Sequence, residues 1–341
     1  MKALKMKVLI VHLESKGLEH DADILFSYIG HICKEFLKKE IEIFRLSVPG
    51  HLINKTDYSF PTPDEFDFYP DLVIHLESIY SIKNAPFGKC KHIFIPNPEW
   101  TNNISVSRIG DMTEIWHKTR YSHRFFSENF SGVVQHVYLG FTSLDLGFRV
   151  KHFTSAAHFK GKAVARNSEE ILSIWSRRKD FPPLRLRFYS LGAEIMFFKY
   201  PAWFRHENIE IKIGIYSDED YLTDLSESGI HLCTSEMEGF GHHINECRMM
   251  GGVAIVIDGE PMNELIDSDS GFLIQPVSSE KRVFAKRFKI TEAALEETLE
   301  KVFASSPEEL ALKGRNARTN YERDRSAFVN NLRRALITLL V

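Results

Sequence analysis

Short apolar runs recur along this chain, spaced so that one helix fits between successive runs. In the first half they fall at residues 8–11, 41–44, 72–75, 92–95, 114–116 and 133–138. Each is rich in Val, Ile, Leu and aromatic residues and too short for a helix, so each predicts a strand. Between the first two, residues 21–37 place Ile24, Leu25, Tyr28, Ile29, Ile32 and Phe36 at helical spacing and predict one amphipathic helix. The second half repeats the alternation. Strands are predicted at 185–189, 209–213, 230–233, 253–257 and 272–274, and helices at 168–178, 243–250, 292–304 and about 320–340. Strands that alternate with helices form βαβ units, so the fold class is α/β with parallel sheets. A polar, irregular stretch from 142 to 155 predicts a linker, which divides the chain into a domain over 1–145 and another over 150–319.

At 341 residues the chain is long enough for two ordinary domains. Lys and Arg number 43 against 46 Asp and Glu, so no global cationic field favours nucleic acid. No apolar run approaches the roughly 20 residues that cross a bilayer. The opening residues, MKALKMK, lack the apolar centre of a secretory signal, so the expected place is the cytoplasm, at most peripheral to a membrane. Cys33, Cys90, Cys233 and Cys247 are scattered without metal-ligand spacing and read as reduced thiols. The first strand is not followed by Gly-x-Gly-x-x-Gly, which argues against an ordinary dinucleotide site.

Chemistry concentrates at Ser235-Glu-Met-Glu-Gly-Phe-Gly-His-His-Ile-Asn-Glu246, between the strands at 230–233 and 253–257. Glu238 stands just beyond the carboxyl end of a strand. Gly239, Phe240 and Gly241 form a turn that opens a helix near His242, and Glu246 lies one turn inside it. The helix stops at Gly251-Gly252, where a left-handed cap needs glycine. Parallel sheets bind ligands at this edge, and a glycine-flanked helix N-terminus attracts phosphate. The arrangement suits a nucleotide diphosphate with a polyol on each side. His242 and His243 do not predict a metal site, because adjacent helical residues point about 100° apart.

Two glutamates separated by seven residues around Gly-Phe-Gly resemble the Glu-x7-Glu motif of retaining glycosyltransferases of the GT-B fold, family 4 type. The resemblance extends through Glu260-Pro-Met-Asn-Glu-Leu-Ile266 and Ser270-Gly-Phe-Leu273. It implies two Rossmann-like domains facing across a cleft, with the helix at about 320–341 crossing back onto the first. It also implies sugar transfer from a nucleotide-diphosphate sugar, most simply a UDP- or GDP-sugar, with no metal and no further cofactor. Glu238 matches the carboxylate that binds donor-sugar hydroxyls, and Glu246 the one that accepts from the ribose. Gly239, Phe240, Gly241 and His242 face sugar and phosphate, and Met262 and Asn263 flank the sugar. Lys162 and Arg166 correspond to the basic pair on the diphosphate, although the family's order of Arg then Lys is exchanged here. Gly17, in the turn after the first strand, matches a glycine loop near donor phosphate and acceptor. His75 and Glu99, at the ends of two first-domain strands, are candidates to orient the acceptor or the sugar beside Glu238.

The implied acceptor is a glycan, a lipid-linked intermediate or another hydroxyl; a nucleic acid is less favoured by the neutral charge. Two rival readings remain open. One is a nucleotide-sugar epimerase or hydrolase on the same fold, which would turn over donor without acceptor. The other is a catalytically degenerate binding domain. The basic runs at 177–179 and 281–289 read as solvated faces.

Overall fold

The computed structural model describes residues 5–49, 68–80, 90–161, 165–188, 190–214 and 217–340. By its contacts the chain divides into two compact units, one of Met1–Thr142 with Asp324–Val341 and the other of Ser143–Arg323.

The first unit carries β1 (Met6–Leu13), β2 (Ile41–Val48), β3 (Leu72–Leu76), β4 (Lys91–Ile95), β5 (Glu114–His117) and β6 (Gln135–Tyr138). All pair in parallel, in the order β2-β1-β3-β4-β5-β6. The helices among them are α1 (Lys16–Ile32), α2 (Asn103–Ser107) and α3 (Arg120–Asn129). Every residue of β3 is buried, as expected for a parallel strand covered on both faces. Leu9, Val11 and Val73 fill one side of the sheet with Tyr80; Phe94, Ile115 and Phe126 pack in a second cluster.

The second unit repeats the plan. Its strands are β7 (Ala156–Gly161), β8 (Leu184–Phe188), β9 (Ile209–Ile213), β10 (Ile230–Cys233), β11 (Val253–Ile257) and β12 (Gly271–Ile274), in the order β12-β11-β10-β7-β8-β9 and again all parallel. The helices are α4 (Ser168–Arg177), α5 (Ser190–Lys199), α6 (Asp218–Ser226), α7 (His242–Met250) and α8 (Glu292–Ala304). A two-stranded antiparallel hairpin, β13 (Ser278–Lys281) and β14 (Lys286–Lys289), stands apart from the sheet. The last helix, α9 (Pro307–Leu340), begins in the second unit and ends in the first.

Strand order locates the ligand edges. In the second sheet the chain runs outward from β7 through β8 to β9, then returns to add β10 on the other side of β7. Neighbouring strands therefore lead their connections to opposite faces, and a crevice opens at the carboxyl ends of β7 and β10. In the first sheet the corresponding point lies between β1 and β3.

The structure departs from the hydrophobic pattern in several places. The helix at 21–37 begins earlier, at Lys16, and its end loosens into a π-helical turn, Cys33–Leu37, stopped by Lys38 at φ 51°. Phe36 is thereby left 49% exposed. α9 starts at Pro307 rather than near 320: its first turns already bury Leu310, Gly314 and Ala317 at helical spacing, but two of these are too small to stand out in the hydrophobic pattern. β7 is central to its sheet although its sequence, AAHFKG, is a weak strand former; burial between β8 and β10 overrides propensity.

Candidate functional site

The second unit assembles its polar groups at the β7/β10 crevice. The segment after β7 is tied to the segment after β10 by three hydrogen bonds: Glu236 N–H to the Ala165 carbonyl at 3.0 Å, Thr234 Oγ1–H to the Arg166 carbonyl at 2.7 Å, and Asn167 Nδ2–H to the Thr234 carbonyl at 2.8 Å. Asn167 caps α4 in a left-handed conformation, φ 52°, one of the few residue types that adopts it readily. Beneath, His158 of β7 bridges the Leu232 carbonyl and Ser168 Oγ at 2.9 and 2.8 Å. Burial pulls its pKa down to about 4, so the ring is neutral.

These ties bring Arg166 and Glu238 together. Arg166 donates through Nη1 to the Phe159 carbonyl at 2.7 Å, and its Nη2 lies 3.8 Å from Glu238 Oε1. On the other side, His243 Nδ1 lies 3.7 Å from the same carboxylate oxygen. Burial, then the nearby Arg166 charge, hold the His243 pKa well below its usual value. His243 is thus a neutral polar group, and Arg166 carries the positive charge beside Glu238.

The turn into α7 depends on glycine. Gly241 is the N-cap at φ 94° and ψ 59°, and a Cβ there would meet Ile244 Cδ1 at 3.0 Å. Its carbonyl accepts from the N–H groups of Ile244 and Asn245, both at 3.0 Å. The helix is then pinned from within: Asn245 Nδ2 donates to Ser143 Oγ at 2.9 Å, and buried Arg248 donates to Asn245 Oδ1 and the Leu265 carbonyl. At the far end Gly251 takes φ 78° and the Gly252 N–H returns to Cys247. Glu246 is buried and accepts from the Tyr221 hydroxyl of α6 at 2.8 Å. Burial, reinforced by that carboxylate, raises the Tyr221 pKa well above normal, so the phenol stays protonated and donates.

Three side chains here keep a buried polar atom without a hydrogen-bond partner among the described residues: Arg166 Nε, Ser235 Oγ and His243 Nε2. Such atoms are costly in a folded interior unless something pairs with them. With the N–H groups of the α7 first turn, they fit an anion or a polyhydroxyl ligand.

The predicted residues are distributed unevenly about this crevice. Glu238, Arg166, Glu246, Gly239, Phe240, Gly241 and His242 lie on the two facing segments and on α7. The Phe240 ring meets His242 edge-on at 5.3 Å. Lys162 lies outside the described residues. Asn263, in the short 3-10 turn Met262–Glu264, donates to Asp258 Oδ1 at 2.9 Å. Met262 is fully buried among Ile244, Val256 and Ile266, so it fills core instead of flanking a ligand. Gly17 sits in the first turn of α1, capped by Ser15, rather than in a glycine loop. Nothing lies within 4 Å of a Cβ built on it, so no close approach demands glycine there. His75 is fully buried, its Nε2 3.1 Å from His92 Nδ1, with its pKa well below normal from burial; it is an interior histidine. Glu99 is half-buried in the turn after β4. None of the described residues form a cluster able to hold a metal ion.

Tyr221, Glu236 and His243 carry no signal in the sequence that assigns them to the site; for His243 the pattern excludes a shared metal and gives no other role. α6 has a legible start, Ser217 followed by Asp218, Glu219 and Asp220, with Ser217 Oγ accepting from the Asp220 N–H at 3.1 Å. That signal would have placed Tyr221 on a helix. It would not have aimed the residue at Glu246.

No protein-family model and no curated protein matches the sequence. Solved structures do. Sucrose-phosphate synthase from Thermosynechococcus elongatus superposes with a TM-score of 0.70 at 10% identity, covering 98% of this chain and 99% of that one. The lipopolysaccharide outer core galactosyltransferase WaaB follows at 0.66 and 12% identity, covering 98% and 100%. HepE of Anabaena, solved with UDP and glucose, gives 0.62 at 11% identity, covering 98% and 99%. The chain has the fold of these proteins, GT-B, with two Rossmann-like domains.

Proposed function

We propose that this protein is a glycosyltransferase that takes its sugar from a nucleotide diphosphate and passes it to an acceptor hydroxyl with retention of configuration. The observation that carries this reading is the convergence of Glu238, Arg166 and the Gly241-capped N-terminus of α7 at the crevice between β7 and β10. Glu238 accepts from donor-sugar hydroxyls. Arg166 and the amides of α7 offset the diphosphate charge, so the reaction needs no metal and no cofactor. Glu246, oriented by Tyr221, accepts from the ribose. Likeness to structures such as HepE, solved with UDP and glucose, supports a uridine nucleotide as the first donor to try.

The bond from the anomeric carbon to the diphosphate oxygen breaks as the acceptor oxygen bonds to the same face of that carbon. The acceptor's proton passes to the departing phosphate oxygen. The cationic transition state and the growing phosphate charge both need pre-placed partners, which Glu238 and Arg166 provide. The acceptor class this reading favours is a glycan or lipid-linked hydroxyl. Among the described residues no helix is long and apolar enough to cross a membrane.

A thermal-shift screen with UDP, GDP, ADP, CMP and their sugar conjugates, with and without EDTA, tests the reading. A ligand at a hundredfold above its Kd stabilises by about 2.7 kcal/mol, which raises Tm by a few degrees at this chain length. The expected result is a selective shift by one diphosphate series that EDTA does not alter. Loss of the shift in EDTA sinks metal independence, and no shift from any nucleotide sinks the donor site.

A further inference from the structure

The β13–β14 hairpin lies outside the sheet, and its sequence reads as a solvated basic run. Two of its cations are engaged. Lys289 Nζ lies 2.9 Å from each oxygen of Glu236, and Arg287 Nε pairs with the same carboxylate. Glu236 has 7% of its side chain exposed, so this is a nearly buried carboxylate held by two cations. The backbone joins in: the Phe288 N–H donates to the Glu236 carbonyl at 2.8 Å. Strand alternation explains the geometry. Residues 287 and 289 share one face of β14, and Phe288 takes the other. There Phe288 covers Gly259 so closely that a Cβ on that glycine would come within 2.5 Å of the ring. Phe288 also packs against the cluster of Cys233, Ile244 and Met262. One small hairpin therefore holds the segment after β10, two residues before Glu238, and the segment after β11 that carries Asp258 and Asn263.

We propose that this hairpin is a clamp that positions the Glu238 loop for the donor sugar, with Glu236, Arg287 and Lys289 as positioning residues; this rests on the donor-site reading above. The clamp touches the side of the loop that leads to Glu238, whereas Glu246 is held separately by Tyr221 and α7. Releasing the clamp should therefore weaken recognition of the sugar and spare the nucleotide.

The test measures affinity for UDP, GDP, UDP-glucose and GDP-mannose, using whichever nucleotide and conjugate the wild type binds. The Arg287→Met/Lys289→Met variant should bind the sugar conjugate at least roughly tenfold more weakly, the scale of a lost hydrogen bond between a sugar hydroxyl and a carboxylate. Affinity for the free nucleotide should not change, and Arg287→Lys should restore the conjugate. If the double variant does not fold, Glu236→Gln makes the same comparison with the side-chain shape preserved. Amide exchange should quicken across residues 237–241 and stay unchanged in α8. Equal losses for nucleotide and conjugate would reveal general destabilisation and overturn the clamp, as would unchanged affinity with unchanged exchange. A folded wild type that binds none of the four probes overturns the donor reading instead.

Discussion

Two carboxylate–cation pairs at the carboxyl edges of the two sheets, Asp21–Lys118 in the first unit and Glu238–Arg166 in the second, differ in how closely they meet. In the first unit the groups around β3, β4 and β5 neutralise one another. Lys118, just past β5, donates to Asp21 of α1 at 2.8 Å, both side chains 3% exposed. Glu77, at φ 65° past β3, accepts from Asn97 Nδ2 at 2.8 Å, and burial raises its pKa. In the second unit Arg166 stops 3.8 Å short of Glu238. Buried polar atoms without a partner among the described residues occur in both units, Asn97 Oδ1 and His136 Nε2 in the first and Arg166 Nε, Ser235 Oγ and His243 Nε2 in the second, so the contrast lies in how the charges are paired. A charge paired inside the protein is spent on folding, and one held near its partner without bonding is available to a ligand.

The sharpest way to break this comparison is Lys118→Met. Removing one member of a buried pair takes from Asp21 its lysine and should cost up to about 3–5 kcal/mol in denaturant unfolding. Nucleotide affinity of the folded fraction should be unchanged; a parallel loss of binding would mean the first unit's charges also serve the ligand. Glu238→Ala should behave inversely. Turnover should fall by roughly a hundredfold or more, equivalent to about 3 kcal/mol, while Tm stays near wild type. Kinetics and calorimetry on one preparation decide it. Tyr221→Phe should act more gently, because it removes one hydrogen bond to a carboxylate, worth about 1.5–3 kcal/mol at most. It should raise the donor KM by about tenfold and leave kcat alone; a fall in kcat with KM unmoved would remove Glu246 from the ribose.

The last difference is a slope with pH. His158 and His231 have folded pKa values of about 4 and His117 about 2, each lowered first by burial. All three are bases whose folded pKa lies below the unfolded one. Their neutral forms therefore contribute stability that is complete above about pH 6.5 and is lost as pH falls toward 4. Each should remove about 1.4 kcal/mol per pH unit in that window. Because the histidines are divided between the units, acid unfolding followed by probes in each should show both weakening. A flat profile between pH 6.5 and 4.5 would contradict the neutral assignments.

The pattern of residues made the second unit more legible than the first. Glu238, Gly241 and Glu246 sit on one continuous strand–turn–helix, so spacing alone relates them. Gly251-Gly252 marked the end of α7 for the same local reason. The first unit's candidates had no such continuity. His75 and Glu99 stand out in the sequence only for their places at strand ends, and His75 is an interior group whose partner, His92, lies on the neighbouring strand. Met262 and Gly17 failed similarly, because burial and helix phase were not visible in the local string.

The sequence by itself determined what is local: the alternation of strands and helices, the α/β class, the glycine-capped helix and the two carboxylates, one before its N-terminus and one inside it. Those follow from periodicity, backbone conformation and short-range hydrogen bonds. Tertiary structure decided which distant groups meet. Arg166 reaches Glu238 because hydrogen bonds join the segments after β7 and β10, Tyr221 reaches Glu246 because α6 packs beside α7, and Arg287 and Lys289 close on Glu236 because a hairpin folds back over the loop. Such meetings depend on strand order and on burial strengthening each charge's need for a partner, and neither is written at any single position of the chain.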